Sequence, residues 1–361
     1  MKILLIGEFS NLHSTLAAGL KTLGHDVTVV SDGGGWMEND SDIYLARLGY
    51  DFYNSVKYLG KVHNAFRKLK NYDIVQINNP SFLNLNIQRN LYFYRFLLKN
   101  NDKVFMGAYG TDYFWEKTCL ENKALRYSDL FIGNKPLDIY NCSWINTPLE
   151  DANVEIAETC NGIISCLYEY NIAYEPYYKE KLKYIPLPIN SDLLHYKQKG
   201  NNEEKIKFFI GIQKLKTKLK GTDLMLEMLT KIHETYPNEV QINKVEYIPW
   251  SQYVKIMAES DVILDQLYSY TPAMNGLIAM AQGLVLVGGG EPEMYELLNE
   301  KNNFPIVNVF PSREDIYDKL EKLILNKKSI PEFSYNSRKF IEEHHNYINV
   351  AQKYIDFWNS K

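Results

Sequence analysis

The chain has little cysteine: four in 361 residues, Cys119, Cys142, Cys160 and Cys166, with no CxxC pair and no histidine at zinc-ligand spacing. That excludes a disulfide scaffold and a structural zinc site, and predicts free thiols. It also lacks an excess of positive charge. Lys and Arg number 40 against 44 Asp and Glu, a net charge of -4, so a dedicated nucleic-acid binder, which needs basic surface to displace counterions, is excluded. Long apolar runs are missing as well. The run 3–6 is soon cut by Glu8 and the run 277–287 contains Gln282, both too short for a signal-peptide core or a membrane span. The expectation is a cytoplasmic protein, with the inner face of the membrane as its one peripheral station. No repeat of 20–50 residues occurs, and neither half opens with GxGxxG, which argues against a nicotinamide dehydrogenase.

What is present is globular material in ordinary proportion, 45% hydrophobic and 23% charged, with an aromatic share of 14% that includes 28 Tyr. Such rings serve packed interfaces or stack on sugars. The length asks for two domains. Short β-branched runs alternate with amphipathic stretches, the pattern of parallel βα units, so the fold class is α/β. Strands are predicted over 2–6, 26–30, 73–77, 103–106, 129–132 and 162–164. A break falls over 184–190, where Pro186 and Pro188 restrict the backbone, and the polar stretch 197–204 follows it. A second series is predicted over 206–210, 241–247, 261–264 and 284–287. The reading is two Rossmann-like domains, 1–190 and 191–335, and a helical segment, 336–361. In that segment Phe340, Tyr347 and Tyr354 recur every seven residues, with Phe357 and Trp358 near the end, giving one aromatic face. That face packs a core or crosses back to brace the first domain.

Four loops carry candidate chemistry. Gly7-Glu8-Phe9-Ser10-Asn11 follows the first strand and leads into a helix with Leu16, Leu20 and Leu23 on one face. Ser10 or Asn11 is placed to cap that helix, whose free amides suit an anion or a polar ligand as well as a plain turn. Residues 211–221 read GIQKLKTKLKG, with Lys214, Lys216, Lys218 and Lys220 between a strand and a helix. Surface lysines are often only solubilising, but Lys220 beside a helix start, with Met225, Met228, Leu229 and Ile232 on the buried face, suits a diphosphate. Residues 265–275 follow a strand and run into a helix with Thr271 as expected N-cap, Pro272 at the first helical position and Gly283 past its end. Thr271, Ala273, Met274 and Asn275 are therefore candidates for phosphate contact at the sheet's carboxyl edge. Residues 288–293 read GGGEPE, with Gly290 permitting close backbone approach and Glu291 and Glu293 able to accept hydrogen bonds from sugar or ribose hydroxyls.

With these residues in order, the chain resembles retaining glycosyltransferases of the GT-B fold, in particular the family 4 group. KGTDLMLEML is similar to that group's lysine-glycine and helix, ILDQL with IAMAQG to its acidic loop and EAMA-G region, and GGGEPE to its glycine-rich loop. Tyr109-Gly110-Thr111-Asp112 resembles its His-Gly-Ser/Thr-Asp segment. The resemblance implies a nucleotide-diphosphate-sugar donor in the second domain and a glycan or lipid-linked acceptor on the first. It implies Lys220, Glu293 and Asp112 as catalytic, and Lys214, Lys216, Lys218, Thr271, Ala273, Met274, Asn275, Gly290 and Glu291 on the donor side. Gly7, Glu8, Ser10, Asn11, His13, Tyr109, Gly110, Thr111 and the stretch 78–81 face the acceptor. No metal and no cofactor beyond the co-substrate are expected.

Two departures stand out. The family's ribose-binding Glu is Ile278 here and its His is Tyr109. Asn275 or Glu291 is expected to take over the ribose. The departures keep two rivals open, a nucleotide-sugar epimerase and a non-catalytic nucleotide-sugar binding subunit. Lys57, Lys61, Arg67, Lys68 and Lys70 with Tyr58 and Phe66 also form either a solvated helix face or a basic amphipathic face toward anionic lipid.

Overall fold

A computed structural model describes residues 1–32, 41–121, 125–132, 135–136, 143–200 and 205–361. Cys142 and positions 201–204 of the polar stretch lie outside them. Of the three described cysteines, Cys160 and Cys166 are free and buried, and Cys119 is buried.

Strands that are apolar on both sides need cover on both faces, which selects parallel sheets flanked by helices. The first strand shows this: Ile3, Leu4, Leu5 and Ile6 are all fully buried. The first sheet holds β1 (Lys2–Ile6), β2 (Asp26–Ser31), β3 (Ile43–Tyr44), β4 (Ile74–Ile77), β5 (Lys103–Ala108), β8 (Gly162–Ser165) and β9 (Leu182–Tyr184). Its order is β3-β2-β1-β4-β5-β8-β9, parallel throughout. The strand expected over 129–132 does not join it. Among the described residues, Phe131–Ile132 (β6) pairs only with Lys135–Pro136 (β7), as a two-residue antiparallel hairpin. The second sheet has the order β11-β10-β12-β13-β14, also parallel: β10 (Ile206–Ile212), β11 (Val240–Glu246), β12 (Val262–Leu264), β13 (Val285–Gly288) and β14 (Val307–Asn308).

The helices are α1 (Leu12–Thr22), α2 (Phe52–Phe66), α3 (Ile87–Asn100), α4 (Tyr113–Glu121), α5 (Pro148–Thr159) and α6 (Tyr168–Tyr178) in the first domain. In the second they are α7 (Thr217–Lys220), α8 (Thr222–Thr235), α9 (Trp250–Ala258), α10 (Met274–Ala281), α11 (Pro292–Leu298), α12 (Arg313–Leu325) and α13 (Ile330–Phe340), and α14 (Tyr347–Ser360) ends the chain. On α2, Tyr58 and Phe66 turn into the core, so neither belongs to an exposed amphipathic face. No helix among the described residues is long and apolar enough to cross a membrane.

The chain passes between the domains twice, and the two passages are tied together. The Ile189 amide donates to the His345 carbonyl, the Tyr347 amide donates to the Ile189 carbonyl, and His345 Nδ1 donates to the Leu187 carbonyl at 2.8 Å. Burial holds His345 far below the ordinary imidazole range, at about 3, so it is neutral. The aromatic heptad does not run along one helix. A π-turn over Ile341–His345 and Asn346, whose side chain caps α14 through the amides of Ile348 and Asn349, break it in two. α14 then lies on the first domain: Tyr354 meets the Tyr109 hydroxyl at 2.6 Å, and Trp358 Nε1 reaches Gln76 Oε1 at 3.4 Å.

Candidate functional site

In an open parallel sheet, ligands bind at the carboxyl edge where strand order reverses. In the second sheet that point lies between β10 and β12, and the loops leaving these strands, with the loop after β11, enclose a cavity of about 840 Å³. That is the size range of small-molecule sites. Its walls are Gly211 to Gln213, Leu215, Lys216, Lys220 and Thr222 after β10, Val245 to Trp250 and Tyr253 after β11, and Asp265 and Gln266 after β12. Ala273, Met274 and Asn275 close it at the start of α10, and Ser10 and Asn11 reach it from the first domain. The first sheet reverses between β1 and β4, so the loop holding Ser10 and Asn11 leaves the corresponding point of its own domain. The cavity is shared across the cleft.

Local structure sets the lysines. Gly221 has φ +67°, and a Cβ there would lie 2.6 Å from the Leu267 Cβ, so only glycine allows the chain to turn from α7 into α8 with Lys220 half-buried at the cavity wall. The Lys220 carbonyl accepts from the Leu267 amide at 2.9 Å, fixing the two loops to each other. Burial holds the Lys220 ammonium below its usual range; the Asp265 charge opposes this, and Lys216 adds to it. Burial likewise pushes the Asp265 carboxyl up, against the Lys220 charge and the Asn275 side chain, whose Nδ2 donates to Oδ1 at 2.9 Å. Asn275 Oδ1 and Thr222 Oγ1 line the cavity and are buried with no hydrogen-bond partner among the described residues. Orphans of this kind in a concave site await a ligand's donors or a water. Of the other lysines, Lys216 lines the cavity, whereas Lys214 turns to Glu246 at 3.6 Å and to the Tyr247 ring, and Lys218 is exposed away from it.

Other expected donor-side residues lie elsewhere. Thr271 does not cap α10: the helix begins at Met274 with Ala273 as its N-cap, and the Thr271 hydroxyl accepts from the Tyr168 amide of the first domain at 3.1 Å. Gly283, at φ +90°, does follow the helix end. Glu291 and Glu293 do not reach the cavity. Arg126 of the first domain takes both, donating to Glu291 Oε2 at 2.7 Å and to both oxygens of Glu293, while the Tyr127 hydroxyl donates to Glu291 Oε1. Glu291 is thus withdrawn from the ribose role. Gly290 lines a separate cavity of about 580 Å³ with Tyr295, Glu300 and Asn308.

Arg126 and Tyr127 were not legible as site residues because their partners lie more than 140 positions away. They belong to an interdomain clamp. The Arg126 amide donates to the Tyr270 hydroxyl at 2.6 Å, and Tyr168 stacks on Tyr270 with ring centroids 5.5 Å apart. Glu169, fully buried, accepts from Ser269 Oγ and from the amides of Tyr270 and Thr271, and burial pushes its carboxyl up. Nearby Asp129 is pushed up to about 7, by burial and then by the Glu169 charge, with Lys216 opposing from the second domain.

The expected acceptor-side motif is mostly internal structure. Asp112 caps α4, accepting from the Trp115 amide at 2.9 Å, and its other oxygen accepts from the Tyr174 hydroxyl at 2.6 Å; burial raises it to about 6. Tyr109 is sealed against Tyr354, and Gly110 lies beneath the Phe9 ring. Thr111, next in the chain, is half-buried. Helix α1 is capped neither by Ser10 nor by Asn11, which stand at φ +50° and +65°. Glu8 does it from outside, accepting from the His13 and Ser14 amides and from the Ser14 hydroxyl. Two non-glycine residues in the left-handed region store strain, a feature concentrated at ligand sites. Gly7 is needed at φ +82° because a Cβ there would lie 2.2 Å from Asn78 Oδ1. Beneath this loop, His13 Nδ1 donates to the Gly7 carbonyl at 2.6 Å, and His13 Nε2 and Asn78 Oδ1 are buried with no partner among the described residues. Asn79 turns its Oδ1 to the Ser81 amide.

No curated protein matches the chain by sequence. Residues 211–356 match the family described as glycosyl transferase-like. Among solved structures, the sucrose-phosphate synthase of Thermosynechococcus elongatus aligns over 100% of this chain and 99% of its own at 10% identity, with a TM-score of 0.65. HepE of Anabaena, solved with UDP and glucose, aligns over 100% of both chains at 11% identity and 0.63. WaaG, a glycosyltransferase involved in lipopolysaccharide biosynthesis, aligns over 100% of both at 13% identity and 0.61. The whole chain shares the GT-B fold of these structures, and residues 211–356 match a glycosyl transferase-like family.

Proposed function

We propose that the chain transfers a hexose-type sugar from a nucleoside-diphosphate sugar to a glycan or lipid-linked acceptor, with retention of anomeric configuration and without a metal ion, in the synthesis of a polysaccharide or glycoconjugate. The observation that supports this best is the shared cavity, which sets Lys216, Lys220 and the start of α10 on one side and the strained Ser10–Asn11 turn of the other domain opposite. The aromatic and apolar wall from Val245 to Trp250 suits a base. Lys216, Lys220 and the amides at the start of α10 suit a diphosphate. Asn275 Oδ1, the orphan acceptor, suits a ribose hydroxyl, the role the resemblance assigns to a Glu at the position of buried Ile278.

In the transfer, the bond from the anomeric carbon to the diphosphate oxygen breaks, the acceptor oxygen bonds to that carbon on the same face, and its proton passes to the departing phosphate. Charge grows on the diphosphate, where fixed cations are most useful; one well-placed donor lowers such a barrier by about 3 kcal/mol. Lys220 is the principal donor because its burial makes it poorly hydrated and dependent on an anionic partner. His13 and Asn78 suit an acceptor hydroxyl from the first domain.

The test is a thermal-shift screen against UDP, GDP, ADP, CMP and their sugar conjugates, with and without chelator, followed by turnover with and without acceptors. A shift by one diphosphate series that survives chelation, and product only with an acceptor, is the expected result. Conversion of the donor alone would make the protein an epimerase, and tight binding without product across acceptors would make it a binding subunit.

A further inference from the structure

Helix α2 has a face that the described fold leaves without a partner. Tyr58, Val62 and Phe66 point into the core, and positions 52, 53, 56, 57, 60, 61, 64, 67 and 68 lie exposed on the other side at helical spacing. At its start, Phe52 and Tyr53 are 86% and 72% exposed, Val56 is 55% exposed, and Leu48 just before the helix is 80% exposed. Single exposed apolar side chains are ordinary; four within nine residues make a patch. Further along come Lys57, Lys61, Arg67, Lys68 and Lys70, all exposed. Between Asp51 and Asp73 there is no acidic residue at all, although the whole chain is net -4.

We propose that this face docks on the surface of a bilayer containing anionic lipid, with Leu48, Phe52, Tyr53 and Val56 entering the interfacial region and the five cations meeting headgroup phosphates. Apolar anchors plus a cationic stripe supply the two signals that stable peripheral binding needs. Charge complementarity selects this occupant. A second copy joined through the same patch would set five cations against five, and a nucleic acid has no use for the aliphatic Leu48 and Val56.

The fold also says what docking would do. β3 runs parallel to β2 and β2 to β1, so the segment leaving β3 toward Leu48 and the start of α2 emerges at the same sheet edge as the Ser10–Asn11 turn. A bilayer held there lies along the first-domain rim of the cleft, and an acceptor with a lipid anchor reaches the cavity without leaving it. This last step rests on the transferase reading; the docking does not.

The experiment is sedimentation of the full chain with phosphatidylcholine vesicles, with or without about one third phosphatidylglycerol. The wild type is expected in the pellet with the anionic vesicles and in the supernatant with the neutral ones, and to be released by salt. Lys57→Glu with Lys61→Glu should lower partitioning roughly tenfold or more, and Phe52→Ser with Tyr53→Ser severalfold. Because all four side chains are exposed, melting temperature and nucleotide response should stay at wild-type values. Wild type remaining in the supernatant, equal binding to neutral vesicles, an unchanged charge-reversal variant, or a Phe52/Tyr53 variant altered only in self-association would each overturn the proposal. A chain that pellets but transfers no sugar would overturn the transferase reading and leave the docking intact.

Discussion

The two domains repeat one plan, a parallel sheet whose order reverses near its first strand, yet the reversal points are used differently. In the second domain the loops after β10, β11 and β12 stand apart around about 840 Å³, with charged and orphaned polar atoms on the walls. In the first, Glu8, Asp112 and Tyr109 spend their polar atoms on α1, on α4 and Tyr174, and on Tyr354. Similar candidate motifs therefore line an open cavity on one side and serve internal structure on the other. The difference lies in where the hydrogen bonds go.

The largest effect expected is on the open side. Lys220→Ala should reduce turnover by about two orders of magnitude or more, the loss of one donor to a developing oxyanion, while the melting temperature barely moves; full activity in that variant would remove the donor-site assignment. On the closed side the sign is reversed. Asp112→Ala should cost about 3 kcal/mol in chemical denaturation, a lost cap plus a stranded Tyr174 hydroxyl, with nucleotide affinity retained. Wild-type stability would mean that Asp112 is not the structural residue its contacts make it.

The clamp between the two regions offers a smaller lever. Arg126→Ala removes a half-exposed guanidinium from Glu291 and Glu293. After discounting for solvent the stability cost is about 1 kcal/mol, but Glu293 is freed and Glu291 is left to Tyr127 alone, so a change in donor KM is expected. An unaltered KM would show that the clamp does not communicate with the cavity. Smallest is a pH effect. Asp129 has a raised folded-state pKa of about 7, so it contributes stability that is present below the unfolded carboxylate range and lost as pH rises through about 7. Asp129→Asn should flatten the fall in melting temperature over that window; an identical slope would assign the fall to other groups, Asp112 among them.

The α/β plan was legible because buried parallel strands are written as short apolar runs, and the position of Lys220 at the cavity wall was legible because a lysine before a glycine at a strand-to-helix turn is local information. Thr271 misled because an N-cap preference is only a prior: the side chain had a better offer from the Tyr168 amide across the domain boundary. Arg126 gave no signal, since its partners are distant in the chain. The wall formed by Tyr247 and Trp250 leaves a trace in the sequence, an apolar and aromatic cluster, YIPW, where a loop is ordinarily polar.

The second domain's reversal point is expected to bind a nucleoside diphosphate, and the first domain's buried motif is not. Calorimetric titration of the best-shifting nucleoside diphosphate into wild type, Lys220→Ala and Asp112→Asn tests it most directly. Lys220→Ala should lose the binding heat and keep its melting temperature, while Asp112→Asn should bind as wild type and melt earlier. Undiminished binding by Lys220→Ala, or its loss in a well-folded Asp112→Asn, would contradict it.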